Sequence, residues 1–455
     1  MFKSKKQEGF SLVMVLVLIV FIAMISGFFA RNIVSDLRRI RMEEERIQAY
    51  YLARSGIQSV SMWLETADEE EIEQILGVQS EPVEFSEGSF EVQLTREYIQ
   101  KGEEVDEGNE EQEGEEEIIY ILEATGRVKD TTELVTVHLR PLEYSAFDMA
   151  VYAHEYLRMT GSSLIDYDAG TGSREVGSVS LGPAVSIDGD FYIVEGAEEE
   201  VVFAVEGDYY THRDRIGGEV KHSPPIVYEL PEFPEFPGDK GELNYGGSQF
   251  IAQGNETRYI YDDDWYDEIR VRAGSTVEIH IFDEDLKIQT SSLEVSGSAG
   301  IEVHRHGDGE LLLYVEDEFD IAGSGYINKD GEPEDVIMYY RGQEGLDPAG
   351  STVYKGSLYS READITLAGS GGIQGHILSG GNEVNIVGAA TAHVRGLVAP
   401  NADVNIKGSG EIKGSLIANT VNMVGTGTVK YDDSIEDLFP FDVEIAGKSF
   451  DQIWY

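Results

Sequence analysis

Cysteine is absent from the 455 residues, which excludes disulfides, Cys-ligated zinc and thiol catalysis. Basic side chains are scarce: 34 Lys+Arg against 86 Asp+Glu leave a formal charge of −52. So acidic a surface repels polyanions, and no nucleic-acid partner is expected. It suits a cation-rich or saline exterior, and plain solubility accounts for it equally. Catalytic signatures are also missing. There is no Gly-x-Ser-x-Gly, no His-Glu-x-x-His, no Gly-x-x-x-x-Gly-Lys loop and no dinucleotide fingerprint. The nine His are scattered, and the one cluster, His304-Arg305-His306 with Asp308, reads as a surface turn. The acid groups Asp262-Asp263-Asp264, Asp166 with Asp168, and Asp188 with Asp190 offer hard oxygens, but none has the Ca²⁺-loop spacing with its terminal Glu. Adventitious Ca²⁺ binding fits such a surface. No catalytic residue, cofactor or defined metal site is expected, and the chain does not read as an enzyme.

What the chain does have begins at residue 10. Residues 10–30 carry no charge, and Ser11 and Ser26 are their only polar side chains. Twenty-one such residues suffice to cross a bilayer core of roughly 30 Å as a helix. A signal peptide would end in a small-x-small site; here Arg31 leads straight into further helical pattern. Lys3, Lys5 and Lys6 stand before the span, and Arg31, Arg38, Arg39 and Arg41 just after it, so charge alone does not orient it. Beyond it, Ile33, Leu37, Ile40, Ile47, Tyr51, Val60 and Leu64 recur at helical steps and predict one apolar face. Arg39–Glu43 and Arg41–Glu45 add support at i,i+4. Residues 10–66 are thus expected to form one helix, roughly 85 Å long at about 1.5 Å per residue.

The leader Lys3–Gly9 followed by Phe10 and an apolar helix resembles the class III signal of type IV prepilins. That resemblance implies cleavage by a prepilin peptidase after Gly9 and methylation of the new amino-terminal Phe10. It also implies a cytoplasmic N-terminus, with the remainder exported and built into a pilus with other pilins. The run Ala49-Tyr50-Tyr51-Leu52-Ala53-Arg54-Ser55-Gly56-Ile57 resembles the Ala-x-x-Ala-Glu-Ala-Gly signature of PilX-type minor pilins, with Arg54 where an acid is usual and Ser55 where Ala is. In major pilins the fifth mature residue is a Glu that neutralises a neighbour's terminal ammonium. Counted from Phe10 that position is Met14, and no acid precedes Asp36. The large minor pseudopilin of type II secretion systems lacks the Glu in the same way and is assigned to the filament tip. The resemblance implies a tip position here, while drift within an apolar helix is the plainer account of Met14.

After the helix, residues 67–141 read as a small head. Residues 68–76 are an acidic helical turn, and strands are expected near 89–94, 118–124 and 134–139 as an antiparallel sheet against the helix. Within it, loop 102–117 carries nine Glu and one Asp in 16 residues, a cation-binding loop or a solvated insertion. Residues 142–223 are Gly-punctuated β pieces. Residues 224–238 hold five of the twelve prolines and read as an extended strap or linker.

Residues 239–455 are expected to be a β-solenoid. Gly356-Ser357-Leu358, Gly375-His376-Ile377, Gly396-Leu397-Val398 and Gly414-Ser415-Leu416 recur at steps of 19, 21 and 18 residues. Each is followed by a second strand around Asp364, Asn385, Asn405 or Asn422, predicted to form a stacked polar column. The region resembles β-helical domains attached to some PilX-type proteins and, loosely, bactofilin-type polymerising solenoids.

The expected fold is therefore α+β: a long pilin helix and small antiparallel sheet, then a right-handed parallel β-helix. The expected function is a minor pilin of a type IV pilus or related filament, acting in assembly initiation or adhesion, single-pass in the cytoplasmic membrane and then on the cell surface. Two alternatives stand beside it: a membrane-anchored surface solenoid that self-assembles or binds wall polymer, and a tethered carbohydrate-active β-helix. Either could take a surface or glycan ligand.

Overall fold

The computed structural model describes residues 10–64, 67, 69–85, 88–100, 116–142, 147–203, 213–348, 350–369, 372–388, 394–446 and 449–454. The leader 1–9 and nearly all of the acidic loop 102–117 lie outside the described residues. The chain forms two compact units, Met1–Glu143 with Gly447–Tyr455, and Tyr144–Ala446. The last residues, expected to close the solenoid, belong instead to the first unit.

That unit is built on α1 (Phe10–Leu64), whose 55 residues contain no proline. A short α2 (Glu69–Ile75) follows, and Gly77 ends that segment at φ 73°. The sheet is antiparallel in the order β1 (Val83–Phe85), β2 (Gly88–Gln100), β3 (Glu116–Val128), β4 (Thr131–Leu142) and the terminal strand Ser449–Trp454. The final strand pairs Phe450 with Pro141 and Trp454 with Val137.

The expected apolar helix face packs only at its far end, through Val60 and Leu64: Ile33, Leu37, Ile40, Ile47 and Tyr51 are all exposed. The buried stripe is Ala49, Ala53, Gly56, Ile57, Ser61 and Leu64, against Val92, Leu94, Leu122, Ala124, Val135, Val137 and Leu139. Helix and sheet approach too closely for large side chains here. A Cβ on Gly126 would overlap the Ala49 carbonyl oxygen, and one on Gly56 would meet Phe90 and Val92. The Ala-rich run at 49–56 is therefore a packing surface with i, i+4, i+7 spacing. Ion pairs Arg46–Glu133 (2.7 Å) and Lys129–Glu45 (2.9 Å) flank it, so Glu45 pairs across to the sheet.

The second unit is a parallel β-solenoid of about eleven turns. Alternation sends one set of side chains into a continuous core, as in Leu358, Ile377, Leu397, Leu416 and Val151, which stack in register. Its coils do not follow chain order. From Asn244 to Gly425 they stack in sequence, but strand Val151–Gly161 then pairs parallel with Glu411–Gly425. Strands within 164–194 extend the stack from there, and it ends with Val220–Ser223 on Phe191–Val194. Ser415 Oγ donates to the Met149 carbonyl at 2.6 Å across this junction.

The strap must therefore return the chain from one end of the stack to the other. Its path is visible in successive contacts. Tyr152 donates to the Ile226 carbonyl, Tyr359 donates to the Pro231 carbonyl, Phe233 packs on Tyr339 and Tyr359, Phe236 on Tyr314, and the Gly238 amide donates to Gln289 Oε1. From Tyr152 to Gln289 there are seven coil steps, through Ile417, Val398, Leu378, Tyr359, Tyr339 and Tyr314. At about 4.8 Å each that is roughly 34 Å. The twelve residue steps from Ile226 to Gly238 in an extended proline-type conformation reach about 37 Å. The strap is stretched nearly to its limit, as its prolines favour. Only Val227–Glu229 adds strand pairing, with Glu444–Ala446.

Candidate functional sites

Three surfaces could carry function. The first is α1 below its packing stripe. Every described side chain from Met14 to Glu44 is exposed, and Met14 itself is 66% exposed. By length and composition this segment is a candidate membrane span. The proposed cleavage position Gly9 lies outside the described residues, as does the side chain of Phe10.

The second is the polar column. The register joins Asn385, Asn405 and Asn422 as expected neighbours, and Asn422 Nδ2 donates to Asn405 Oδ1 at 3.1 Å. Asp364 is not in it. Ile365 lies opposite Val384, so Thr366 stands beside Asn385, and Arg158 follows Asn422 at the other end. Asp364 instead sits two residues before Thr366, where its Oδ1 accepts the amides of Asn382 and Glu383, both at 2.9 Å. A bulge at Gly375/His376 is a further break in the apparent repeat, placing Gly396 beside His376 rather than Gly375.

Asp364 belongs to a recurrent device. Asp263 accepts the Lys287 amide, Asp285 that of Glu310, Asp168 that of Asp190, Asp190 that of Glu219, and Asp166 that of Tyr431. Each carboxylate caps an amide of the adjoining coil, a charge-assisted bond. The acid groups that looked like loose Ca²⁺ ligands are in these cases corner fasteners. Lys221, through its hydrogen bond, and the Glu219 amide hold Asp190 below the ordinary carboxylate range.

The third surface gathers histidines that the sequence scattered. His304 and His306 come together with His280, Glu278 and Glu302, while Asp308 only offers its carbonyl to Arg305. The missed signal is a Glu-x-His pattern, Glu278-Ile279-His280 and Glu302-Val303-His304, on adjacent coils in register. The rings of His280 and His304 stack at 4.9 Å, and His280 Nδ1 lies 2.9 Å from His306 Nε2. One carboxylate oxygen from Glu278, one from Glu302 and a ring nitrogen of His304 fall within 4.8 Å of one another.

An acidic pocket of about 190 Å³ lies elsewhere, lined in part by Glu318, Asp320, Glu344 and Asp347. Burial first, then Glu294 and Glu318, raise the Asp320 carboxyl. Beneath the C-terminal segment, His376 is 1% exposed with no hydrogen-bond partner on either ring nitrogen, packed edge-on to Phe439 at 5.1 Å. Burial, with a smaller push from Arg395, lowers it to about 4.

Comparison with known proteins adds little to these surfaces. The profile of a domain of unknown function, DUF7305, matches residues 253–386 and 377–438, less than half of the chain and wholly within the solenoid. No curated protein matches. The crystal structure of the competence-associated pilin ComZ from Thermus thermophilus is similar at 10% identity over 90% of this chain and 98% of that chain. Its TM-score of 0.19 is too low to argue a shared fold.

Proposed function

We propose that this chain is a pilin-like subunit, specifically a PilX-type minor pilin at or near a filament tip. In this reading its helix anchors it in the cytoplasmic membrane and then packs among other pilins, and its solenoid is displayed outward for assembly initiation or adhesion. The observation that carries the reading is the division of α1. The described side chains from 14 to 44 are all exposed, whereas 49–64 pack on an antiparallel sheet through Ala49, Ala53 and Gly56. An apolar rod free at one end and built into a head at the other is what a subunit needs to leave lipid for a fibre without refolding. Met14 in place of an acid supports the tip, because no upper neighbour's ammonium then has to be matched in an apolar core. The reading is non-enzymatic.

Amino-terminal sequencing and mass measurement of the protein from its native host test it. Processing predicts a chain starting at methylated Phe10 and recovered in sheared filaments. A chain starting at Met1 and left in the membrane fraction would favour the anchored surface solenoid.

A further inference from the structure

The Glu-x-His pairs leave an electrostatic problem unresolved by the protein itself. Glu278 and Glu302 stand directly opposite on adjacent coils, an arrangement that like charges disfavour. Elsewhere in the stack the same problem is answered with arginine: Glu294 stands opposite Asp320, and Arg270 and Arg272 clasp Glu294. Among the described residues the charged partners of Glu278 and Glu302 are only His280 and His304, at 3.6–3.9 Å.

We propose that Glu278, Glu302 and His304 bind one divalent d-block ion of the Zn²⁺ type. His304 Nε2 lies 3.9 Å from Glu278 Oε2 and 3.8 Å from Glu302 Oε2. Two donors about 2.1 Å from a shared ion at a tetrahedral angle lie about 3.4 Å apart, so small rotations of these half-exposed side chains close the set. Supporting bonds orient it. Tyr326 donates to Glu302 Oε1 at 2.9 Å, leaving Oε2 facing His304. Gly300 makes that possible, since a Cβ there would overlap the Tyr326 ring. His280 stacks beneath His304, its Nε2 3.6 Å from Glu278 Oε2 and its Nδ1 linked to His306. An imidazole with two carboxylates and no sulfur suits Zn²⁺, Ni²⁺ or Cu²⁺, whereas Ca²⁺ and Mg²⁺ take oxygen ligands. Three protein ligands leave a position open to water or a further donor.

The test is calorimetric titration of the full chain in detergent with Zn²⁺, in excess Ca²⁺ to occupy the acidic surface. One Zn²⁺ per chain is expected to bind despite the Ca²⁺. H304A and E302Q should each weaken it at least about tenfold, and Y326F about tenfold, with melting temperatures in EDTA near wild type. Two substitutions in different strands keep the test sound if one variant fails to fold. Zn²⁺ binding that H304A and E302Q leave unchanged, or that Ca²⁺ abolishes, would overturn the site.

Discussion

Two outer columns of the solenoid solve opposite problems. One, Tyr152–Ile417–Val398–Leu378–Tyr359–Tyr339–Tyr314, is apolar on the outside of a sheet and would face water. The chain covers it with itself: the strap lies along it, and Ile435, Phe439 and Phe441 pack on it from the C-terminal side. Burial pushes the phenols of Tyr314 and Tyr359 up to about 12. The other column, with Glu278 over Glu302 and His280 over His304, is left open. Stacking at coil spacing repeats whatever residue is placed there. An apolar ladder then demands a cover and an acidic ladder demands a counter-charge, and among the described residues only the first is met.

The comparison breaks most visibly if the cover is cut. Phe236 is fully buried, packed on Tyr314 at 5.2 Å with Arg341 over its ring at 4.3 Å. Phe236→Ala should cost about 3–5 kcal/mol in denaturant unfolding of the solenoid, far more than any single change on the open column. An unchanged midpoint would mean that the strap is decoration.

Acid should also loosen the covered side first. His376 is neutral under its lid with its pKa depressed, so the folded state binds fewer protons than the unfolded one. Stability is then full above the ordinary histidine range and falls as pH drops from about 6.5 towards 4, by on the order of 3 kcal/mol. Melting temperature against pH should show this fall in the wild type and a flatter profile in His376→Leu. Equal slopes would remove His376 from the account.

The smallest effect sharpens the open column. In EDTA, Glu278→Gln should raise stability by a few tenths to about 1 kcal/mol, because it relieves a like-charge pair. In Zn²⁺ the order should invert, since the wild type gains a ligand that the variant loses. Differential scanning in the two buffers reads both signs.

Much of this was legible in the sequence. The uncharged run at 10–30, the strands of the head and the 18–21-residue repeat gave helix, sheet and solenoid by local periodicity. What failed was what periodicity does not encode. Large apolar residues at 33–51 on α1 outvoted Ala49, Ala53 and Gly56, although close approach of the sheet selects small residues at that stretch of the packing face. Asp364 belongs to another column because a two-residue slip between corners keeps the inside–outside alternation and so is invisible when every triplet has the pattern apolar–polar–apolar. The pairing of 151–161 with 411–425 leaves no local signal at all. The histidine cluster was half visible, since His304 and His306 adjoin in sequence while Glu278 and His280 arrive only through coil register.

The chain path also sets a schedule for biosynthesis. Residues 151–161 leave the ribosome long before their neighbours at 411–425, and β4 waits for the strand at 449–454. The solenoid junction cannot close before 411–425 has been made, nor the head sheet before the stretch 449–454, because non-local pairing forms only once both partners exist. A nonsense codon just before that stretch would leave the head sheet without its last strand, although nearly all of the head had been synthesised first.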